Sequence, residues 1–215
     1  MVKYVLKTSA PKRLPFDLTK DLNPEQRAVV EAGPRKILVL AGAGTGKTRT
    51  LTYRVARLVA GGCPPERILL CTFTNRAARE MTDRVGELLG IDMRRASAGT
   101  FHHIGNQILR RNAEAIGRSP DFGILDPEDA RTLLGSVIAE LGLAVLSARR
   151  FPNPKVLSNL ISLSRGTRTP LRKVVETHRL KMLDQAPSME EVARRYGERK
   201  RQMNLCDFDD LLWEW

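Results

Sequence analysis

The chain has 215 residues, of which 42% are hydrophobic, enough to bury a core in one large domain or two small ones and too many for a disordered chain. Its 36 Lys and Arg against 24 Asp and Glu leave a formal charge of +12, which points to a polyanionic partner bound by counterion release, the alternative being a merely basic surface. Cys63, Cys71 and Cys206 are odd in number and lack metal-ligand spacing, and no run approaches the roughly 18 apolar residues of a membrane span, so a disulfide scaffold and a membrane protein are excluded and a reduced, cytoplasmic protein is expected.

Residues 1–21 mix Lys3, Lys7, Lys12 and Arg13 with two prolines and read as a basic arm. A helix starts at Asn23-Pro24-Glu25-Gln26, with Asn as N-cap, Pro in the first turn and Gln placed to complete a capping box. Gln26 has a second reading. A glutamine just upstream of a phosphate-binding loop can pair its amide with the donor and acceptor edge of adenine, and residue chemistry leaves both readings open.

Next come the apolar residues 37–40, read as a strand, then Ala41-Gly42-Ala43-Gly44-Thr45-Gly46-Lys47-Thr48, then a helical pattern through Leu51, Val55, Leu58 and Val59. Strand, glycine loop and helix in that order form a phosphate-binding loop. The glycines let backbone N–H groups turn around an anion while the helix directs its partially positive N-terminus at it. Lys47 is placed to reach the β- and γ-phosphates and Thr48 to offer its hydroxyl to Mg²⁺.

Gly61-Gly62-Cys63-Pro64-Pro65 is a turn, 68–73 a second buried strand, and Thr74-Asn75 the cap of a helix with Ala78, Met81, Val85 and Leu88 on one face. Phe73 ends its strand, where open α/β sheets bind ligands, or it is simply the last core residue there. A third short strand is expected at 96–99, followed by Thr100-Phe101-His102-His103 and another helix. Without a third ligand nearby, the histidines suit phosphate contact or helix capping better than a metal.

From residue 112 strand-like runs stop, and helical periodicity recurs over 129–141, 155–164, 170–183 and 189–203. The basic clusters Arg149-Arg150, Arg165, Arg168, Arg172-Lys173, Arg194-Arg195 and Arg199-Lys200-Arg201 read as a surface for phosphate backbone. Asp207-Phe208-Asp209-Asp210-Leu211-Leu212 opens a last helix whose acids complement its dipole. An acid ending a buried strand, needed to hold Mg²⁺ and orient water for ATP hydrolysis, is not found: Ile124-Leu125-Asp126 runs into Pro127 and reads as a turn and helix cap, and 203–206 look more like a helix start than a strand.

Several motifs in order resemble the N-terminal portion of the UvrD/Rep/PcrA group of superfamily 1 DNA helicases. Leu22-Asn23-Pro24-Glu25-Gln26 looks like that family's adenine-reading Q motif, and 41–48 like its form of the phosphate loop, in which Ala41 is normal. Arg49 matches a position that stacks on the base. Residues 72–78 are similar to motif Ia, with Arg76 where Lys is commoner, and Gly99-Thr100-Phe101-His102 to motif Ib. Asp207-Phe208-Asp209-Asp210-Leu211 resembles the segment that re-enters the motor domain before the Asp-Glu motif.

The resemblance implies an α/β fold, a partial parallel sheet of the RecA-like P-loop NTPase kind with an inserted all-helical subdomain. Its expected divisions are 1–21 as the arm, 22–111 as an incomplete domain 1A, 112–202 as the helical insertion 1B and 203–215 as the return to 1A. It implies ATP and Mg²⁺ as cofactors, Lys47 and Thr48 as catalytic, Thr48 as the Mg²⁺ contact, and Gln26, Gly42, Ala43, Gly44, Thr45, Gly46, Lys47, Thr48 and Arg49 around the nucleotide. Phe73, Thr74, Asn75, Arg76, Thr100, His102 and Phe208 are its nucleic-acid contacts, on single-stranded or duplex DNA. The expected function is the ATP- and single-stranded-DNA-binding front of a 3′-to-5′ helicase or translocase, a fragment or natural truncation that is hydrolysis-incompetent without the Asp-Glu strand. Its further expected partners are the remainder of a helicase chain and, through an unpaired sheet edge, a second copy. The alternative is a non-catalytic nucleic-acid-binding or regulatory module with a vestigial loop. A small-substrate P-loop kinase is disfavoured by the basic helical insertion.

Overall fold

The computed structural model describes residues 15–143 and 151–215, so most of the expected basic arm and Arg149-Arg150 lie outside the described residues. It is a mixed helical and stranded chain with two small parallel sheets, divided by compactness into Met1–Ile104 and Gly105–Trp215. No helix among the described residues is long and apolar enough to cross a membrane.

In the first unit, α1 (Leu18–Asp21) and α2 (Pro24–Glu31) precede the glycine loop, and α3 (Lys47–Ala60) follows it. Then come β1 (Leu69–Thr72), α4 (Asn75–Leu89), β2 (Ser97–Thr100) and the start of α5 (Phe101–Arg111), within which the division falls. The helix starts obey local chemistry. Asn23 and Gln26 form the expected capping box on α2, Thr74 accepts from Ala77 N at the start of α4, and Gly90 closes α4 in the left-handed region at φ 64°. β1 and β2 pair in parallel, Leu69 with Ser97 through Thr72 with Thr100, so both strands end on one side. Val55, Ala56, Ile68, Leu70, Met81 and Val85 form the core between α3, α4 and the sheet.

Residues 37–40 correct one expectation, because they are in neither sheet and are not buried. Their exposure still alternates, Ile37 at 37% and Val39 at 45% against Leu38 at 85% and Leu40 at 88%. That period of two is strand-like, but a strand also needs a ladder, and β1 and β2 take up only each other among the described residues. The exposed Leu69 likewise makes β1 only partly buried.

In the second unit, β3 (Gly123–Ile124) leads into α6 (Pro127–Glu140), and α7 (Pro154–Thr167), α8 (Leu171–His178), α9 (Ala186–Gln202), β4 (Leu205–Cys206) and α10 (Phe208–Trp213) follow. Asp126 and Asn153 cap α6 and α7, each with Pro next. Leu134, Val137, Leu157, Val175, Met189 and Val192 meet in the core of this helical layer.

Three expectations change here. The unit is not all-helical: β3 and β4 form a short parallel pair in which Gly123 N donates to Asn204 O at 2.9 Å and Leu125 N to Cys206 O at 2.8 Å. Residues 205–206 are therefore a strand, and Asn204 turns the chain into it at φ 51°. The helix expected over 170–183 ends at His178 and resumes as a 3₁₀ segment, Leu180–Gln185. The apolar stripe Leu171, Val174, Val175 would next bury His178 and Arg179, and these polar residues stop it.

Candidate functional site

The glycine loop owes its shape to two residues in the left-handed region, Gly44 at φ 76° and Gly46 at φ 83°. Gly46 is also the N-cap of α3, and no side chain caps that first turn. Its backbone N–H groups are thus left for an anion. A Cβ on Gly46 would lie 2.7 Å from Gln26 Nε2, so the position is fixed by close approach as well as by φ.

Gln26 does more than cap α2. Its Oε1 accepts from Asn23 N at 3.2 Å while its Nε2 donates to Thr45 O at 2.9 Å, tying α2 to the loop. One N–H and one lone pair of the amide remain for another partner. Thr45 Oγ1 donates to Gly42 O at 2.8 Å, closing the loop on itself. Lys47 Nζ reaches across the loop to Ala41 O at 3.1 Å and Gly42 O at 2.5 Å, so its charge sits over the concavity. Gln26, Gly42, Thr45, Lys47, Leu51 and Arg54 line a cavity of about 670 Å³ there. Ala43 is exposed in the loop and Thr48 on the first turn of α3, where Thr48 O accepts from Thr52 Oγ1.

Arg49 is not brought into this cavity. It lies 3.9 Å from Asp21 Oδ1 and 5.8 Å from the Tyr53 ring centroid, beside a separate hollow of about 400 Å³ between α3 and α4. Arg54, which the sequence reading missed, is brought in. Its Nη1 donates to Val29 O at 2.7 Å and Ala32 O at 2.9 Å, holding the free carbonyls at the C-terminus of α2 against α3. Only its helical distance from the loop hinted at this, since the carbonyls it meets lie more than twenty positions upstream.

The residues expected to touch nucleic acid fall into two places. The parallel pairing of Thr72 with Thr100 puts Phe73, Thr74, Asn75 and Arg76 at the same strand ends as Thr100 and His102. Phe73 is 95% exposed, which removes the reading of it as a core residue. Arg76 is paired with Glu80 at 2.8 Å, and Thr100 Oγ1 accepts from His103 N at 3.2 Å, a helix-capping contact. His103 packs on Gly99, where a Cβ would meet its ring at 2.7 Å. Phe208 lies in the other unit, half-exposed on α10 beside a small hollow lined by Ser158, Ser162 and Asp209.

Among the described residues most members of the basic clusters of the second unit are ion-paired, Arg168 and Arg172 excepted, which argues against reading them all as a surface for phosphate backbone. Arg194 and Arg195 are paired with Glu191 at 2.7 Å, Arg194 also with Glu198, and Arg199 with Glu140. These arginines hold the Glu191 carboxyl down to about 2. Lys200 is inside, 1% exposed, donating to Asp207 Oδ2 at 2.5 Å and to Asp210 Oδ2. Arg165 Nη1 takes the other Asp210 oxygen at 2.5 Å, and Tyr196 donates its hydroxyl to Asp207 at 2.9 Å. Burial pushes the Asp210 carboxyl up, but Lys200 and Arg165 outweigh it and hold it below its ordinary value. Arg118 grips Glu214 with two hydrogen bonds, at 3.0 and 3.1 Å, and Leu205 O with a third. The acids of the 207–210 segment therefore serve a buried charge network and not only a helix dipole. Among the described residues no group of three or more His, Cys, Asp or Glu is gathered as a metal site.

Comparison with known proteins matches residues 22–215 to the family of the UvrD/REP helicase N-terminal domain. The chain is 38% identical over 207 residues to the ATP-dependent DNA helicase UvrD1 of Mycobacterium tuberculosis, covering 95% of this chain and 26% of that protein. It is 37% identical over 199 residues to the ATP-dependent DNA helicase PcrA of Leuconostoc citreum, covering 91% of this chain and 25% of that protein, and 33% identical over 196 residues to PcrA of Staphylococcus epidermidis. It spans about a quarter of the length of these curated relatives. On the match over 22–215, with the Gln26-tethered loop and the paired strand ends within it, the chain belongs to the UvrD/REP helicase N-terminal domain family.

Proposed function

We propose that this chain is the ATP- and single-stranded-DNA-binding front of an ATP-dependent 3′-to-5′ DNA helicase or translocase, a RecA-like P-loop unit carrying a helical insertion. In that reading 22–111 belong to the motor domain, 112–202 to the insertion and 203–215 to the return. The observation that carries it is the loop itself: Gly44 and Gly46 in the left-handed region, Lys47 Nζ over the concavity, and Gln26 joining loop to helix. The cradle fits a triphosphate, because Gly46 has no room for a Cβ and the first turn of α3 has no competing side-chain cap.

Backbone N–H groups of 42–46 would surround the phosphates, and Lys47 would exchange the carbonyls of Ala41 and Gly42 for phosphate oxygens. Thr48 would hold Mg²⁺, which supplies charge neutralisation between the phosphates. Gln26 keeps one N–H and one lone pair for adenine, and Arg49 would have to leave Asp21 and Tyr53 to stack on it. Phe73 would stack on a base, with Thr74, Asn75, Arg76, Thr100 and His102 along the backbone.

These 215 residues should bind ATP and not turn it over. Among the described residues β1 and β2 run into Phe73 and Phe101, while Asp126 and Asp207, which follow β3 and β4, are already helix caps. Titration with a fluorescent ATP analogue tests the site: binding lost in Lys47→Ala is expected, and equal binding by both proteins overturns the assignment. Steady ATP turnover that Lys47→Ala abolishes would overturn the lack of hydrolysis. Self-association through an unpaired sheet edge is part of the same reading, and a monomer at high concentration in sedimentation removes it.

A further inference from the structure

In the second unit one exposed arginine lies against a tryptophan. The guanidinium carbon of Arg168 is 5.8 Å from the ring centroid of Trp213, which is 51% exposed on α10. Arg168 ends α7 with its backbone at φ 53°, an uncommon conformation for a residue with a side chain. The acids of α10 are all committed elsewhere: Asp210 to Lys200 and Arg165, Asp209 to Ser162, and the adjoining Asp207 and Glu214 to Lys200 and Arg118. Arg168 makes no ion pair among the described residues.

We infer that Trp213 and Arg168 form a stacking site for one base of single-stranded DNA on the helical unit, separate from the Phe73 and Thr100 strand ends. The inference rests on the reading of single-stranded DNA as the partner and adds a second point of attachment. The half-open indole offers a flat π surface to any base, and the guanidinium beside it can take the adjoining phosphate through two parallel N–H donors. A cation already over a ring does not prevent this, since an indole has two faces and Arg supports stacking as well as charge pairing. Charge complementarity also decides against a second copy of this chain as the occupant. A twofold contact over this patch would bring one Arg168 toward the other with no carboxylate free on α10 to separate them.

The chain has only two tryptophans, so Trp215→Phe leaves Trp213 as the sole indole reporter. Titrating that variant with an oligothymidylate at low salt should quench its fluorescence to a plateau. Trp213→Ala should weaken binding roughly tenfold, within the range for loss of one stacked base, while Trp213→Phe keeps most of the affinity. Arg168→Gln should weaken binding and lower the salt dependence by about one phosphate contact. The Trp213→Phe protein and unchanged thermal melts separate these effects from misfolding. Wild-type affinity in Trp213→Ala, or no quenching in the presence of binding, overturns the site alone, and the Phe73→Ala protein then reports whether the strand ends bind. Failure of the unsubstituted chain to bind at low salt overturns both this site and the single-stranded-DNA reading. A dimer that Trp213→Ala dissociates also overturns it.

Discussion

Lys200 donates to Asp207 Oδ2 at 2.5 Å from a position that is 1% exposed, and the same ammonium holds Asp210. This fastens α9 to the segment that forms β4 and α10, with Arg165 of α7 closing the other side. Two cations face two carboxylates, so the cluster is neutral only when complete. Lys200→Met should destabilise the second unit by about 3–5 kcal/mol, because it strands buried carboxylates that lose their partner. Urea unfolding read by tryptophan fluorescence isolates this effect, since Trp213 and Trp215 both lie in that unit. A loss under about 1 kcal/mol would mean that the ammonium contributes no more than an exposed ion pair.

The same cluster sets the acid limit. The Asp210 carboxyl is held below its ordinary 3.8 by Lys200 and Arg165 against the opposing push of burial. A depressed folded pKa contributes stability that is complete above the unfolded value and is lost as pH falls through the folded one. The second unit should therefore lose stability progressively below about pH 4, where Asp210 is protonated in the unfolded chain first. In Lys200→Met the two values approach each other, so the acid slope should flatten even as the stability at pH 7 falls. An unchanged slope in that variant would remove Lys200 as its source.

Cys206 reports on the same region from the alkaline side. It is fully buried in β4, and burial pushes its thiol from 9.0 up to about 11. A raised folded pKa contributes stability that is present below the unfolded value, so this part is lost between about pH 9 and pH 11. Under native conditions at pH 8, Cys206 should be alkylated only when the second unit opens, whereas Cys63 and Cys71 are partly accessible. Lys200→Met should accelerate its alkylation in proportion to the lost stability. Modification of Cys206 at the rate of Cys63 would contradict this protection.

What could be read in the sequence was what is local. Asn23 with Pro24, Asp126 with Pro127 and Asn153 with Pro154 announce their helices because a cap and its N–H lie within three residues. Gly44 and Gly46 announce their loop for the same reason. What could not be read was long-range. Leu205 and Cys206 gain strand character only by meeting Gly123 and Ile124, some eighty positions earlier. The inward turn of Lys200 was legible in principle: Val192, Tyr196 and Lys200 recur at four-residue spacing on one helix face, which buries the lysine although its neighbours Arg199 and Arg201 face out. Residues 37–40 show the converse, a correct period without a neighbouring strand to complete it.

Arg54 shows how α3 carries a second task beside the loop. Its guanidinium caps carbonyls at the C-terminal end of α2, with donors at 2.7 and 2.9 Å. Arg54→Ala should cost the first unit about 2–3 kcal/mol, the range for charge-assisted hydrogen bonds that share one donor group. Arg54→Lys should recover only part, since an ammonium cannot present the planar fork that reaches several carbonyls at once. Native-state hydrogen exchange at α2 provides the readout: its amides should exchange faster in Arg54→Ala than those of α4. Equal acceleration in both helices would point to general loosening.

Gln26 separates cap from tether, because its two amide ends do different things. Oε1 completes the capping box with Asn23 N, and Nε2 holds Thr45 O. Gln26→Glu keeps an acceptor for Asn23 and loses the donor to Thr45, placing a carboxylate against a carbonyl oxygen. Gln26→Ala loses both. The alanine variant should therefore destabilise α2 by about 1 kcal/mol, the usual scale of a cap, while the glutamate variant keeps more of α2 and releases the loop. If the tether preorganises the phosphate cradle, both variants should weaken inorganic triphosphate, which has no base to recognise, by a similar factor. If Gln26 only reads adenine, triphosphate affinity should stay constant while ATP affinity falls. Gly46→Ala is the control from the other side of the contact, since its Cβ would meet Nε2 at 2.7 Å and its φ of 83° is strained for alanine. It should displace Gln26, and its triphosphate affinity should fall at least as far as that of Gln26→Ala.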